Sequence, residues 1–312
     1  MENFLLAVRI VMPLFLLMAV GFAVRFFGLI DKRAADGIND AVFRVFLPVM
    51  LFKNLYETSI GDAFSWKLVV FAYVGVAVIV GLSMLIIPRL VSDDSQKGVL
   101  VQAIFRSNYV IFGLPLTEAI LGKGQAGSTA LLIACIVPLF NTLSVCLLEY
   151  YRGGGVKFRV FVKNVLTNPL VIASAVGISF LLLGIKLPDM LMDTVSTVSS
   201  VSSPLALIGL GAAIEFKKVP GNAREIAIGT LGRLVAVPLL GLPAAVLCGF
   251  RGAPLVALLA LFATPTAVST FTLARGLDGD SELAAELVVS TCTFSVFSVF
   301  AAVYALICFG LV

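Results

Sequence analysis

Charged residues are scarce in this sequence, and histidine is absent from it. Of the 312 residues, 13% are charged and 60% are apolar, whereas in a soluble protein about a quarter are charged and roughly half are apolar. The composition therefore excludes an ordinary soluble globular protein and predicts a polytopic membrane protein. The net charge of +4 is small for this length, and it is not concentrated in a basic segment that would bind nucleic acid.

Metal, disulfide and catalytic chemistry are also disfavoured, because the residue patterns that they require are missing. The five cysteines lie inside apolar stretches and form no CxxC or Cys/His spacing, so we expect neither a zinc site nor disulfides. The sequence contains no paired acids, no Ser/His or Ser/Lys couple and no metal-binding cluster at a shared depth, as an enzyme would need. We therefore predict a protein that is not an enzyme and that binds no cofactor.

Apolar runs long enough to cross a bilayer make up most of the chain. A helix needs about 20 residues to cross roughly 30 Å of hydrocarbon. The first run has no basic region before it and is too long for the core of a signal peptide, so we interpret it as a membrane span. The sequence predicts an all-α polytopic membrane protein with ten transmembrane helices, at 4–24, 36–56, 67–90, 99–121, 127–150, 165–184, 189–214, 223–248, 253–275 and 283–311.

Lysine and arginine are distributed unevenly between the predicted loops. Alternate loops with their flanks hold thirteen basic residues on one side and five on the other. Cytoplasmic loops accumulate positive charge, so we expect the richer set in the cytoplasm and both termini on the non-cytoplasmic side of a plasma or inner cell membrane. The remaining four arginines lie within the predicted spans and are Arg9, Arg44, Arg106 and Arg233.

The two halves of the chain resemble each other at an offset of 156 residues. "PLFLLMAVGFAVRFFG" (13–28) aligns without a gap with "PLVIASAVGISFLLLG" (169–184), and the same offset places Pro48 on Pro204. Each half then has five spans, and because five is odd, the second half enters the membrane from the opposite side. We therefore predict two inverted five-helix repeats, residues 1–156 and 157–312, an organisation typical of secondary transporters.

Spans 4 and 9 contain residues that a continuous membrane helix avoids. They lie in "FRSNYVIFGLPL" (105–116) and in "LFATPTAVSTFTLARG" (261–276). Proline removes a backbone hydrogen bond, and unpaired backbone in hydrocarbon costs several kcal/mol per group, so such breaks occur where protein or a water-filled cavity surrounds them. Two broken helices at matching positions predict the binding site of a transporter, where freed amides attract anions and freed carbonyls attract cations.

Two arginines in the spans are candidates for contact with a charged substrate. Arg106 lies beside the predicted break in span 4, and Arg233 lies within span 8. A charge at mid-bilayer costs at least ~2.5 kcal/mol and usually faces a partner or a cavity. Either guanidinium is a candidate counter-charge for a substrate carboxylate, because it can hold both oxygens at once. The alternative is that it extends to the interface or caps neighbouring carbonyls.

The sequence leaves the coupling ion open. Without histidine and without a carboxylate pair at mid-depth, no obvious proton relay is present. Sodium could bind to carbonyls and hydroxyls at the breaks, or those hydroxyls could satisfy the opened backbone. The hydroxyls available are those of Ser107, Thr264, Thr266, Ser269 and Thr270.

Several segments resemble the auxin efflux carrier family, which includes bacterial malate and malonate permeases and is similar to the plant PIN carriers. They are "SNYVIFGLPL" (107–116), "NPLVIASAVGISFLLLGIKLP" (168–188) and "TPTAVSTFTLARG" (264–276) followed by "LAAELVVST". The most specific parts are the run with Asn108, Gly113 and Pro115 and the segment with Pro265. Ser107 stands where the plant carriers have proline.

The resemblance implies that the spans form two structural units. Spans 1, 2, 6 and 7 would form a scaffold that makes a homodimer, and spans 3–5 and 8–10 would form a transport unit in which spans 4 and 9 cross beside the substrate. Together with the residue analysis, it predicts the following substrate-binding residues: Arg106, Ser107, Asn108, Gly113, Pro115, Arg233, Thr264, Pro265, Thr266, Ser269 and Thr270.

The function predicted from these features is secondary transport of small organic anions, carboxylates such as malonate or malate, by alternating access around the crossed broken helices. The expected partners are the anion, membrane lipid and a second copy of the chain. A membrane-embedded enzyme, either a hydrolase or a lipid-head-group transferase, and an anion channel are the alternatives. The missing catalytic patterns disfavour the enzyme, and two matched breaks favour a carrier over a channel.

Overall fold

The computed structural model of the protein describes residues 2–57, 65–152, 167, 169–214 and 222–312. Helices form most of this part of the chain, and its strand-like pairing is a single isolated bridge between Ser107 and Thr266. The all-α prediction is therefore confirmed. The predicted boundary between the halves, at 156/157, and most of the connection 151–164 lie outside the described residues.

Fourteen α-helices and three single π-helical turns follow one another in the described ranges. The π turns interrupt otherwise continuous helical stretches or follow a break. In chain order the elements are α1 (Glu2–Phe26), α2 (Lys32–Ala41), π1 (Val42–Phe46), α3 (Leu47–Tyr56), α4 (Trp66–Leu90), α5 (Asp94–Phe105), π2 (Tyr109–Gly113), α6 (Leu114–Leu121), α7 (Gly127–Arg152), α8 (Pro169–Leu183), α9 (Asp189–Ala212), α10 (Ala223–Leu231), π3 (Gly232–Ala236), α11 (Val237–Leu247), α12 (Gly252–Ala263), α13 (Ser269–Gly276) and α14 (Ser281–Cys308).

Six helical stretches in the described ranges are long and apolar enough to cross a membrane, namely α1, α4, α7, α9, Ala223–Leu247 and α14. Shorter apolar helices occupy Tyr109–Leu121, Pro169–Leu183 and Gly252–Ala263. Predicted spans 4 and 9 each consist of two helices separated by a break. The arrangement of ten spans as two inverted repeats stays a prediction.

Each π-helical turn lies just before a proline. Pro48, Pro115 and Pro238 occupy the first turn of the helices that follow π1, π2 and π3. A proline ring has no N–H and clashes with the carbonyl four residues earlier. For all three prolines that carbonyl lies inside the π turn, so the wider turn accommodates the ring and the helix continues.

The helices pack in two groups. In the first group α1 packs along α9, and α3 packs against both α8 and α9. In the second group α5 packs against α4 and α7, α12 packs against α7 and α11, and α13 packs against α14. These groups contain the helices that the resemblance assigns to the scaffold and to the transport unit, respectively. The two groups meet where α1 contacts α14 and α6, where α3 and α8 contact α7, and where α9 contacts π2 and α6.

Glycine allows α1 and α9 to touch backbone to backbone. A Cβ atom on Gly21 would overlap the carbonyl of Ile208, and one on Gly211 would overlap the carbonyl of Met18. Because the two substitutions would meet backbone rather than flexible side chains, neither contact has room to adjust. The spacing between α1 and α9 is therefore set by the absence of a side chain at these positions.

Two glycines separated by the repeat offset end their helices in the same way. Gly28 after α1 has a φ of +72°, and Gly184 after α8 has a φ of +63°. In both places the next residue donates its N–H to a carbonyl five residues earlier, at 3.0 Å. This left-handed termination favours glycine, because other residues strain at positive φ.

We expect Gly211→Ala to lower the melting temperature of the detergent-purified protein by several degrees. The methyl group would push α1 away from α9, and overpacking of this kind costs about 1–3 kcal/mol. Gly81→Ala in α4 is the matched control, since a Cβ atom there meets nothing within 4 Å. The higher helix propensity of alanine should leave its melting temperature unchanged or raise it. Equal melting temperatures for the two variants would contradict the close packing.

Candidate functional site at two interrupted helices

The first break separates α5 from π2 within predicted span 4. The chain becomes extended at Arg106, with φ −84° and ψ 93°, and it returns to helix after Asn108, with φ −76° and ψ 54°. Ser107 lies between them, and all three residues are buried. The helix is thus interrupted where the sequence predicted, although proline is absent from the three-residue segment.

The second break separates α12 from α13 within predicted span 9. Thr264 is extended, with φ −74° and ψ 154°, and helical structure resumes at Ser269. Pro265 follows Thr264, and its ring disfavours helical backbone at the residue before it while it removes an N–H donor. The local sequence therefore accounts for this break directly.

The two breaks hydrogen-bond to each other. The N–H of Asn108 donates to the carbonyl of Pro265 at 2.7 Å, and the N–H of Ala267 donates to the carbonyl of Arg106 at 3.0 Å. This pairing produces the antiparallel bridge in the middle of the fold. Each break supplies partners for backbone groups that the other exposes, which removes part of the cost of opening helices inside an apolar interior.

Arg233, in π3, caps the ends of both interrupted helices. Its Nε donates to the carbonyl of Thr264 at 2.8 Å, its Nη1 to that of Ile104 at 3.0 Å and its Nη2 to that of Leu261 at 2.9 Å. These carbonyls belong to the C-terminal ends of α5 and α12, where helix dipoles are negative. Arg233 is fully buried, so the geometry favours the capping role over a contact with substrate.

The side chain of Arg106 lies between α7 and α13. Its Nη1 donates to Ser144 Oγ at 2.8 Å and to the carbonyl of Phe140 at 3.1 Å, and its Nη2 donates to Asn141 Oδ1 at 2.7 Å. Ser269 Oγ accepts from both Nε and Nη2, at 3.2 and 3.1 Å. Asn141 and Ser144 were not among the predicted site residues, although in the sequence both are polar residues in the middle of an apolar helix.

Neither of these buried guanidinium groups has a carboxylate partner among the residues that the structure describes. The ion pairs within 4 Å that the described residues form all involve other side chains. Burial of an unpaired charge is costly, and the N-terminal ends of π2 and α13 add positive helix-dipole potential beside the breaks. The region is therefore electrostatically suited to an anion.

Several buried polar atoms around the breaks have no hydrogen-bond partner within the described ranges of the chain. They include Ser107 Oγ, Asn108 Nδ2 and Thr270 Oγ1, and both polar side-chain atoms of Gln102 in α5. A buried donor or acceptor left unpaired costs about 1–3 kcal/mol, and native proteins rarely retain one without a water or a ligand. These atoms mark where a polar ligand would find unused hydrogen-bonding capacity.

Four other predicted site residues contribute to the framework around the breaks. Thr264 Oγ1 and Thr266 Oγ1 donate to carbonyls of α12 and α5, each at 2.8 Å, which is the backbone-satisfying role considered as the alternative to sodium binding. A Cβ atom on Gly113 would lie 2.9 Å from the ring of Tyr109, so glycine is needed for that packing. Pro115 lies in the first turn of α6.

A cavity of about 690 Å³ lies beside the second break, between the two groups of helices. Residues of α1, α2 and the end of α9 line one wall, and residues of α10, α13 and α14 line the other. Val268 and Phe271, on either side of Ser269, line the cavity. The cavity therefore reaches the N-terminal end of α13, but its lining, within the described part of the chain, includes none of the predicted site residues.

Comparison with known proteins matches nearly the whole chain. A family model described as "Membrane transport protein" matches residues 6–303. An uncharacterized transporter of Methanocaldococcus jannaschii is 22% identical over 298 residues, covering 92% of this chain and 94% of that protein. An uncharacterized transporter of Methanothermobacter thermautotrophicus is 26% identical over 290 residues, covering 91% of each. Auxin efflux carrier component 6 of Arabidopsis thaliana is 27% identical over 128 residues, covering 39% of this chain and 22% of that protein.

These matches agree with the apolar helices and with the motifs in the interrupted segments. The relatives are transporters, so the prediction that the protein is not an enzyme is confirmed. The resemblance to the auxin efflux carriers is confirmed as well. The chain is therefore a multi-pass membrane protein that belongs to the membrane transport protein family, the family of the auxin efflux carriers.

Proposed function

We propose that this transporter carries small organic anions, carboxylates such as malonate or malate, by alternating access around the two interrupted helices. The observation that carries the proposal is the burial of Arg106 and Arg233 at the paired breaks without a carboxylate partner among the described residues. A small anion would supply the missing negative charge. Its oxygens would accept hydrogen bonds from unpartnered donors such as Asn108 Nδ2.

Alternating access requires two bodies that move relative to each other around the site. We assign α1–α3, α8 and α9 to the scaffold and the other helices to the transport unit, because the cavity lies between these groups. Residues that line the cavity lie near the α1–α2 and α13–α14 connections. Both connections belong to the loop set rich in lysine and arginine. The proposed state is therefore open to the cytoplasm, with both termini outside.

The proposed inverted repeat has support from matched features 156 residues apart. Gly21 and Gly177 both lie at close helix contacts, and Gly28 and Gly184 both end their helices at positive φ. The breaks follow the same offset, since Thr264 lies 156 residues after Asn108. On the resemblance to the auxin efflux carriers we also propose that the scaffold forms a homodimer in the plasma or inner membrane.

A thermal-shift screen of the purified protein against organic acids tests the substrate class. A ligand that binds the folded state raises the melting temperature, with a stabilisation of about 2.7 kcal/mol at 100 times its dissociation constant. We expect malonate or malate to raise the melting temperature with concentration. We expect Arg106→Gln to abolish this shift, because the variant lacks the guanidinium charge.

Arg9→Gln is the matched control for that experiment, because Arg9 is exposed on α1, away from the breaks. The control should keep the shift of the natural protein. A shift of equal size in Arg106→Gln would contradict a role for Arg106 in binding. The absence of a shift with every mono- and dicarboxylate would contradict the proposed substrate class.

Reconstitution in lipid vesicles distinguishes a carrier from an anion channel. A carrier that alternates access exchanges substrate, so we expect saturable uptake of labelled malonate or malate that unlabelled anion inside the vesicles accelerates. Vesicles without protein measure the leak. Uptake that rises linearly with concentration and does not respond to internal anion would indicate a channel and exclude the proposed mechanism.

Arg233→Met tests whether the paired breaks depend on their common cap. The variant leaves carbonyls of α5 and α12 without a donor, each costing about 1–3 kcal/mol, so we expect a large fall in melting temperature or no folded protein. Arg233→Lys keeps the charge but has one donor group, and we expect an intermediate fall. Arg224→Met removes an exposed arginine of α10 and should melt like the natural protein. Similar melting of Arg233→Met and Arg224→Met would refute the capping role.

A further inference from the structure

All the hydrogen-bond donors of Arg106 are already in use. A guanidinium has five N–H groups, and Arg106 makes five hydrogen bonds to Phe140, Asn141, Ser144 and Ser269. The sequence predicted that this arginine could bind a carboxylate through two hydrogen bonds at once. Such bidentate binding would require two of the existing bonds to break. The positive charge remains enclosed, but its N–H groups face protein atoms.

Arg106 fixes the orientation of the Asn141 side-chain amide. A guanidinium has donors and no acceptor, so an amide beside it must present its oxygen, and Asn141 Oδ1 accepts from Arg106 Nη2 at 2.7 Å. The amide is planar, and its NH₂ group therefore faces away from the guanidinium. Asn141 is partly exposed, so this NH₂ group offers two N–H donors at an accessible position of α7.

Arg106 also fixes the orientation of the Ser269 hydroxyl at the start of α13. Its Oγ accepts hydrogen bonds from Nε and Nη2 of Arg106, at 3.2 and 3.1 Å. Because both of its lone-pair positions face the guanidinium, its own O–H points elsewhere. Ser269 is exposed, and its neighbours Val268 and Phe271 line the cavity.

We propose that Asn141 is a specificity-determining residue of the anion site, and that its NH₂ group and the hydroxyl of Ser269 contact the oxygens of a carboxylate directly. Arg106 is then a positioning residue: it orients both groups so that their N–H and O–H donors face the ligand. Its positive charge lies directly behind them. This inference rests on the proposed transport of organic anions and deepens it. The ligand that fits is a carboxylate group. Its two oxygens accept hydrogen bonds from two neutral donors, the Asn141 amide and the Ser269 hydroxyl, and the positive charge of Arg106 lies next to both donors.

The charge of Arg106 makes this arrangement selective for anions. A neutral ligand could accept from the same amide and hydroxyl, but it would leave the guanidinium without a counter-charge in a buried position. A cation would be repelled by the guanidinium and would meet donors instead of lone pairs. Replacement of the amide by a carboxylate should therefore remove binding while it gives Arg106 a partner.

Asn141→Asp separates this role from a purely structural one. In the full-length purified protein, we expect a melting temperature at or above that of the natural chain, because the introduced carboxylate would pair with Arg106. We expect the dissociation constants for acetate, malonate and malate, measured by concentration-dependent thermal shift, to rise at least about 100-fold through like-charge repulsion. Because the introduced carboxylate also neutralises Arg106, an uncharged variant is needed beside it to isolate the contribution of the Asn141 donors.

Two further variants keep the test decisive. Asn141→Leu removes the donors without adding charge, and we expect the dissociation constants to rise about tenfold or more. Thr142→Val is the matched control on α7, because the Thr142 hydroxyl donates to the carbonyl of Pro138 in its own helix, at 2.7 Å. It should bind these anions within about threefold of the natural protein and melt at a similar temperature.

The outcomes distinguish the inference from the function on which it rests. Loss of binding in both Asn141 variants, with Thr142→Val unaffected, supports direct recognition by Asn141. Binding close to that of the natural chain in either folded Asn141 variant overturns that recognition and leaves anion transport in place. If the natural protein binds none of the three probes, the proposed anion function fails and the role of Asn141 fails with it.

Discussion

The central constraint on this structure is that polar backbone opened inside an apolar protein must find a partner. The chain opens two helices near the middle of the fold and then pairs the exposed segments with each other, through Asn108 to Pro265 and through Ala267 to Arg106. Arg233 completes the arrangement by donating to the carbonyls at the ends of α5 and α12. A helix break in a membrane protein costs several kcal/mol for each unpaired group, and here one break offsets much of the cost of the other.

The sequence was sufficient to predict where these breaks occur but not what stabilises them. Asn108 and Pro265 stand out in apolar runs because asparagine, glycine and proline are unfavourable in the middle of a membrane helix. The role of Arg233 was not predictable as a single answer, because a guanidinium serves equally as a counter-charge or as a cap. Its position depends on Pro238, whose ring produces the π turn in which Arg233 lies, and on the approach of α5 and α12, which no local pattern specifies.

Arg233 and Arg106 are both buried, but they have different roles in the structure. Arg233 has carbonyl partners and is enclosed completely, so it acts as part of the backbone framework. Arg106 has mainly side-chain partners on α7 and α13. Of these partners, Asn141 is partly exposed and Ser269 is exposed. Sequence position alone made Arg106 the better candidate for the site, but the residues through which it acts could only be identified once α7 was placed against it.

The pairing of the two breaks also has a consequence for biosynthesis. The partners that close the first break, including Pro265 and Arg233, lie more than a hundred residues further along the chain. During translation these hydrogen bonds cannot form until π3 and α12 have been synthesised. The first break therefore reaches its final hydrogen bonding only when the C-terminal helices pack against it, which makes that packing a late step of assembly.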